Sequence, residues 1–493
     1  MMSQQQFEVT VGLEVHVQLS TESKVFSRAQ SRISHESSVA EEKANVNTTP
    51  VCAGHPGTLP VLNKKAVEYA IKAGLATHCR INKKSVFSRK HYFYPDLPKG
   101  YQISQYDEPL CEEGFLMIHP KGLESKKIRI QRIHMEEDAG KNIHMSGFSL
   151  VNLNRAGVPL IEVVSHPDMS RPEEASAYLK ALYAVVTYLD ICDGNLQEGN
   201  FRCDVNVSVR PKGQTKLGTR AEVKNVNSFR FVEKAIEYEA ARQIEVIQSG
   251  GEVIQETRLF DSAKGVTISM RSKEEAHDYR YFPEPDLLPL IVTENTIEGI
   301  RSKLPELPEA KRQRYIKDYQ LSEYDAGVLT ATRELAFFFE ETLELMGSEK
   351  KGDPKTYKQV SNYLTGEVSR LMNEAQKEIN QSRLQPQHLA DLIRLVLDAE
   401  ISSTNAKVVI AEAWESGKSV DQIVKSKGLK QVSDTASLEP IVDAVISKHP
   451  DQVAQYQGGK TKLLGFFVGQ CMKASKGQGN PQLFQEMIKK RLG

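Results

Sequence analysis

Ten residues, Arg132 to Lys141 (RIHMEEDAGK), hold a histidine, three consecutive carboxylates and a lysine. Neighbouring carboxylates repel one another, so Glu136, Glu137 and Asp138 call for a cation or for full hydration. The same side-chain types recur at alternate positions in three other stretches. Glu14 and His16 stand two apart in VTVGLEVHVQL; Arg202, Asp204 and Asn206 do so in RCDVNVSVR; Arg220, Glu222 and Lys224 do so in TRAEVKN. Carboxylate oxygens with one imidazole suit Mg2+ or Mn2+ better than zinc. Interspersed arginine and lysine supply the donors that a polyphosphate needs. Both sets on one surface would serve phosphoryl transfer, where metal and cations offset charge and the protein does little covalent chemistry.

The elements that must position these groups are β-strands, because residues two apart on a strand share a face. Val9, Val11, Leu13, Val15, Val17 and Leu19 fall on one side of the first strand, with Gly12, Glu14, His16 and Gln18 on the other. Cys203, Val205, Val207 and Val209 alternate in the same way with Arg202, Asp204, Asn206, Ser208 and Arg210. In IRIQRIHMEED the same rule pairs His134 with Glu136 and sends Glu137 to the opposite side, unless a bulge re-aims it. Antiparallel sheets carry such patterns, one face on a core and the other open. The competing reading is a merely solvated face. Against it stands the make-up of the four polar faces, which are rich in acids, histidine and arginine.

Other stretches are candidates for binding. Phe87 to Leu110 (FSRKHYFYPDLPKGYQISQYDEPL) combines six aromatics with Arg89, Lys90 and Lys99, which could stack a base and touch phosphate. NRAGVP reads as a structural turn with Arg155 as the exception, and HDYRYFPEPD places Asp278 near Arg280. AQYQGGKT, Ala454 to Thr461, imitates a phosphate loop, but the segment before it is helix-like where that loop needs a buried strand. From Gly458 to Gly493 seven basic residues (460, 462, 473, 476, 489, 490, 491) face one acid, Glu486, which suits a nucleic-acid backbone. Cys203 lies on the apolar side of its strand, a poor place for a nucleophile.

The chain of 493 residues exceeds what one core usually holds, so several domains are expected. Lys+Arg and Asp+Glu both number 64, so overall charge selects no polyanionic partner. No basic segment precedes an apolar run at the start, and no run nears the ~18 residues of a membrane span, so a cytoplasmic protein without a membrane partner is expected. Six scattered cysteines with no CxxC pair fit a reducing compartment. Helices are expected over KKAVEYAIKAGLAT, over SRPEEASAYLKALYAVVTYL with Ser170 and Glu173 as a capping box, and over SFRFVEKAIEYEAARQIEVIQ up to Gly250. Strand signals thin out after about residue 295. GSEKKGDPKT reads as a linker, and the rest as short helices, giving an α+β chain with an all-α C-terminal part.

Taken in order, VGLEVHVQL, GHPGTLPVLNKKAV, RKHYFYPDLPKGYQISQYDEPL, HMEEDAGK, LNRAGVPLIEVVSHPD, EGNFRCDVNVSVRP, EVKNVNSFRFVEKAIEYEAARQ, MRSKEEAHDYRYFPEPDL and LLGFFVGQCMKASKGQGNP resemble the GatB family, the B subunits of aspartyl/glutamyl-tRNA(Asn/Gln) amidotransferases. The resemblance implies a cradle of antiparallel sheet over 1–295, a helical domain over 296–400 and a YqeY-like helical tail over 401–493 that helps hold tRNA. It implies ATP-dependent phosphorylation of the side-chain carboxylate of Glu-tRNA(Gln) or Asp-tRNA(Asn). Amidation follows, by ammonia channelled from the amidase or A subunit, with the small C subunit strapping the pair. The resemblance assigns Mg2+ to Glu14, His16, Glu137, Asp204 and Glu222, favouring Glu137 over Glu136. Lys90 and Lys99 match positions near the reaction centre, and Arg202, Arg220, Lys224 and Arg280 are the candidates for holding ATP. Some members carry zinc-binding cysteine pairs before GHPGTLP; only Cys52 stands there in this chain, so no zinc is expected.

Overall fold

The computed structural model describes residues 6–31, 43–196, 198–272, 279–347, 352–430, 435–475 and 479–493. Asp278, Lys476 and residues 348–351 of the linker lie outside them. In chain order the strands used below are β1 (Phe7–Gln18), β2 (Arg80–Ile81), β3 (Lys84–Ser85), β4 (Phe87–His91), β5 (Tyr101–Gln105), β6 (Cys111–Ile118), β7 (Lys126–Glu137), β8 (Lys141–Met145), β9 (Phe148–Asn152), β10 (Pro159–Ser165), β11 (Phe201–Pro211), β12 (Ala221–Lys224), β13 (Glu256–Asp261) and β14 (Val266–Ser272). Nine of them form one sheet in the order β14-β13-β12-β11-β1-β10-β7-β6-β2. Every neighbouring pair is antiparallel except β12 with β13.

The alternation of side chains decides which face is covered. Val11, Leu13, Val15 and Val17 are at most 1% exposed. They join Val205, Val207, Ile161 and Val163 in one core with the helices α1 (Lys64–Ala76), α2 (Pro172–Tyr188) and α3 (Phe229–Gln248). Helices on one side of an antiparallel sheet leave the other side open. A small sheet of Phe282–Pro283, β4 and β5 stands over the end of β7 on that open side, with Gln102 and Ser104 of β5 bonded to Glu136. The expected cap of α2 takes another form. Pro172 at the first helical position makes Arg171 the N-cap residue, and Glu174, not Glu173, accepts a 2.7 Å bond from the Ser170 amide.

The chain divides into two compact units, residues 1–309 and 310–493. The second is helical and buries two separate cores, one running from Tyr315 to Val424 and the other from Leu438 to Leu492. The last core holds eight buried side chains among the described residues. The phosphate-loop lookalike begins inside the helix Pro450–Gln457, whose last four residues it shares, and follows no strand. Among the described residues no helix is long and apolar enough to cross a membrane.

Candidate functional site

Register builds the site. Across the open face, His134 of β7 stands opposite Glu162 of β10, Glu162 opposite His16 of β1, and His16 opposite Arg202 of β11. One step along, Glu14 faces Asp204, and Asn206 faces Glu222 of β12. Directly opposed residues have Cβ atoms about 5 Å apart, so these rows bring ionisable side chains from five strands into contact.

The first group centres on Glu162. Its carboxylate lies 3.2 Å from His16 Nε2 and 3.5 Å from His134 Nε2. His134 Nε2 is also 3.2 Å from Glu136 Oε1, which accepts a 2.8 Å bond from Ser104 Oγ. One ring nitrogen of His16 and one oxygen each of Glu136 and Glu162 lie within 4.8 Å of one another, the separation of ligand atoms around a single ion. Burial alone would raise the Glu136 carboxyl, but Lys90 beside it, with His134, holds it down at about 2. Burial opposes ionisation of Glu162 too, and His134, His16 and Lys90 overcome it. Lys90 is depressed by burial and raised more strongly by Glu136, Tyr281 and Glu162, so it stays an ammonium. His16 is likewise lowered by burial and raised on balance by Glu162.

The second group is acidic with one cation. Asn206 Nδ2 donates to Glu14 Oε1 at 3.0 Å, and Lys224 Nζ sits 2.6 Å from Asp204 and 3.0 Å from Glu222. Burial first, then Glu162 and Glu222, raise the Glu14 carboxyl, which marks a place short of positive charge. Burial lowers the Lys224 ammonium, but Asp204 and Glu222 raise it further. A cleft of about 450 Å³ opens beside Glu14, lined by Asn206, Ser208, Gln255, Lys216 and Arg220 among others.

A third group borders the first. Asp138, 4% exposed, accepts bonds from Gln18 Nε2 (2.6 Å) and Arg202 Nη2 (3.2 Å), with Arg155 Nε at 3.5 Å. Lys99 Nζ pairs with Glu137, whose Oε1 also accepts from the Ile103 amide at 2.9 Å. The turn carrying Lys99 rests on Gly54, which has φ +67°; a Cβ there would lie 2.9 Å from the Lys99 amide nitrogen.

Glu14, His16, Asp204, Glu222, Arg202 and Lys224 therefore share one face, with Lys90 beside the first group. Glu137, expected among the metal ligands, has other neighbours. Its carboxylate turns to Lys99 and the Ile103 amide, while Glu136, on the same strand face as His134, joins His16. Arg220 is exposed at the cleft. Arg280 is exposed beside β4, its carbonyl 3.2 Å from His91 Nδ1. Glu162 escaped the sequence reading, since PLIEVVS looks like a wholly buried strand. The available signal was an acid inside an apolar run, which must find a partner. Cys52 Sγ meets Ser27 Oγ at 3.4 Å, Thr49 Oγ1 at 3.3 Å and Lys24 Nζ at 3.7 Å. One sulphur, two hydroxyls and an ammonium are not a donor set for zinc.

Comparison with known proteins identifies the family. Residues 9–298 match the family model described as GatB/GatE catalytic domain, and residues 338–492 match the one described as GatB domain. The chain is 55% identical over 491 residues to the B subunit of the aspartyl/glutamyl-tRNA(Asn/Gln) amidotransferase from Geotalea uraniireducens, covering 99% of each chain. It is 54% identical over 491 residues to the protein of that name from Geobacter sp. strain M21, and 52% over 488 to the one from Thermodesulfovibrio yellowstonii, again covering 99% of each chain.

Proposed function

Because the chain belongs to the GatB family, we propose that its open sheet face carries the ATP-dependent step of tRNA-dependent amide formation. The enzyme converts Glu-tRNA(Gln), Asp-tRNA(Asn) or both to the amidated forms, with glutamine as the nitrogen source. The relatives' name makes each of them one member of a larger assembly. The partners in this reading are the amidase or A subunit, which releases ammonia, and the small C subunit. An oxygen of the tRNA-borne side-chain carboxylate bonds to the γ-phosphorus of ATP, the bond from that phosphorus to the β–γ bridging oxygen breaks, and ADP departs. The ammonia nitrogen then bonds to the acyl carbon and gives up a proton, while phosphate leaves with the C–O electron pair.

What supports this reading most is the joint placement of His16, Glu136 and Glu162 beside Glu14, Asp204 and Glu222, with cations at their edges. The imidazole nitrogen and carboxylate oxygens of the first group fit Mg2+ or Mn2+. A divalent ion there would offset the charge of the phosphates. The chain's own groups do the rest. Lys90, kept charged by Glu136, holds a fixed positive charge against the first group. Lys224, already seated between Asp204 and Glu222, offsets the acidic second group. Arg202, held by Asp138, presents its guanidinium at the end of the His16 row. Arg220 and Lys216, lining the cleft beside Glu14, are placed to meet a nucleotide's phosphates. Glu137 and Lys99 act as a pair that fixes the Lys99 turn, and Glu137 is left out of the metal set. The last turn of the helix Pro481–Leu492, with Lys489, Lys490 and Arg491, offers charge for the tRNA backbone.

The test is reconstitution with the partner subunits, misacylated tRNA and ATP, in the absence of glutamine. ADP formation should require the tRNA, and Glu162→Gln should abolish it while the partner's glutaminase activity persists. A wild-type assembly in which misacylated tRNA triggers no ATP cleavage, yet is amidated once glutamine is added, would refute the proposal and leave this chain a tRNA-binding scaffold.

A further inference from the structure

His134 is buried on the open face and has no place in the donor set of the first group. The residue is 4% exposed and fixed on β7 opposite Glu162. Its Nε2 lies 3.2 Å from Glu136 Oε1 and 3.5 Å from Glu162 Oε2, while its Nδ1 is buried with no hydrogen-bond partner. Among the described residues, the polar contacts of this ring point at the two carboxylates that share His16 as a neighbour.

We propose that His134 is a positioning residue: a single Nε2–H, shared between Glu136 and Glu162, sets both carboxylates to converge with His16 on one divalent cation. The inference rests on the metal reading given above and adds to it what shapes the site. Two buried carboxylates left to themselves repel and swing apart. One N–H between them bonds an oxygen of Glu136, stands 3.5 Å from an oxygen of Glu162, and leaves further lone pairs of both groups for an ion. The tautomer with hydrogen on Nε2 leaves only a lone pair unmatched at Nδ1, whereas the opposite tautomer would aim a lone pair at two carboxylates. Hydrogen-bond partners of metal ligands orient them, and losing one typically weakens metal affinity about 10- to 100-fold. Ser104 and Gln102 hold Glu136 from the other side, and His16 stands 3.2 Å from Glu162 on its far side.

The test is Mn2+ titration of the full chain assembled with its partner subunits, reading free Mn2+ by its electron paramagnetic resonance signal. Three variants separate donor from bulk. His134→Phe keeps a ring but no donor and should weaken Mn2+ binding about 10-fold or more. His134→Asn carries its amide near the place of Nδ1 and should be equally weak. His134→Gln reaches the place of Nε2 and should bind within about 3-fold of wild type, a rescue that a packing role would not give. Wild-type affinity in the Phe and Asn variants, or a Gln variant as weak as they are, overturns the inference while the metal reading stands. If Mn2+ binding in the wild type is unaffected by Glu162→Gln and His16→Ala, the metal reading falls and takes the His134 inference with it.

Discussion

Replacing Asp138 by asparagine should unlock the edge of the site. The carboxylate is 4% exposed and receives the Gln18 amide, the Arg202 guanidinium and its neighbour Arg155, and Arg155 in turn bonds the carbonyls of Ala139 and Gly140. Asparagine has the same shape but no charge, and its NH2 group would face donors. Removing one partner of a buried charge pair typically costs about 3–5 kcal/mol. Arg202 and Arg155 are each about a third exposed, so water takes over part of the loss and about 2–3 kcal/mol is expected. At roughly 2 °C per kcal/mol for a unit of this size, the N-terminal unit should melt about 5 °C earlier. Burial opposes ionisation of Asp138, but Arg202 and Arg155 prevail and hold its folded pKa below the usual value. For a carboxyl depressed in the folded state, the contribution is present above the unfolded pKa, about 3.9, and is lost as pH falls through the folded one. Thermal melts of wild type and Asp138→Asn should therefore differ equally at pH 7 and pH 5 and converge only below about pH 4. Identical melts at pH 7, or a gap that persists undiminished at the lowest pH, would refute the account of this ion cluster.

Three further outcomes follow from the site. Gly54→Ala combines a left-handed backbone, worth about 1–2 kcal/mol against any side chain, with a Cβ 2.9 Å from the Lys99 nitrogen. It should lower the melting temperature by a few degrees and reduce tRNA-dependent amidation by displacing the Lys99 turn. Arg220→Ala should raise the KM for ATP about 5-fold at an exposed, charge-assisted contact and leave kcat nearly unchanged; an unchanged KM would remove Arg220 from the nucleotide cleft. Lys489→Glu with Lys490→Glu should weaken tRNA binding and flatten its dependence on salt by about one to two phosphate contacts, with no change in the KM for ATP.

Much of the sheet was legible because burial imposes a period of two. The runs of β1 and β11 alternate so strictly that their open faces could be written out before any coordinates. β7 shows where that reading and the family pattern part. Alternation pairs Glu136 with His134, whereas the resemblance favours Glu137; in the structure Glu136 stands with His16, and β5 takes up Glu137 through the Ile103 amide. Glu162 was hidden because β10 is buried at all seven positions, so its chemistry gave no alternating signal. Lys90 and Lys99 could be noticed as cations among aromatics, but their partners on β7 come from a distant part of the chain. The pairing of β12 with β13, the one parallel contact in the sheet, had no local signature at all. The cap of α2 slipped by one residue because Pro172 moves the helix start past Ser170.

The terminal helical bundle has a consequence for how the molecule comes apart. About sixty residues enclose a core of eight buried side chains, and chains of that size are only marginally stable alone. Heating should thus produce a staged transition, with the tail melting ahead of the strand-rich half. A bound polyanion gripping only the tail would lift the first step and leave the later one where it was. Calorimetry could then tell which part of the chain a given ligand holds, without labels and without turnover.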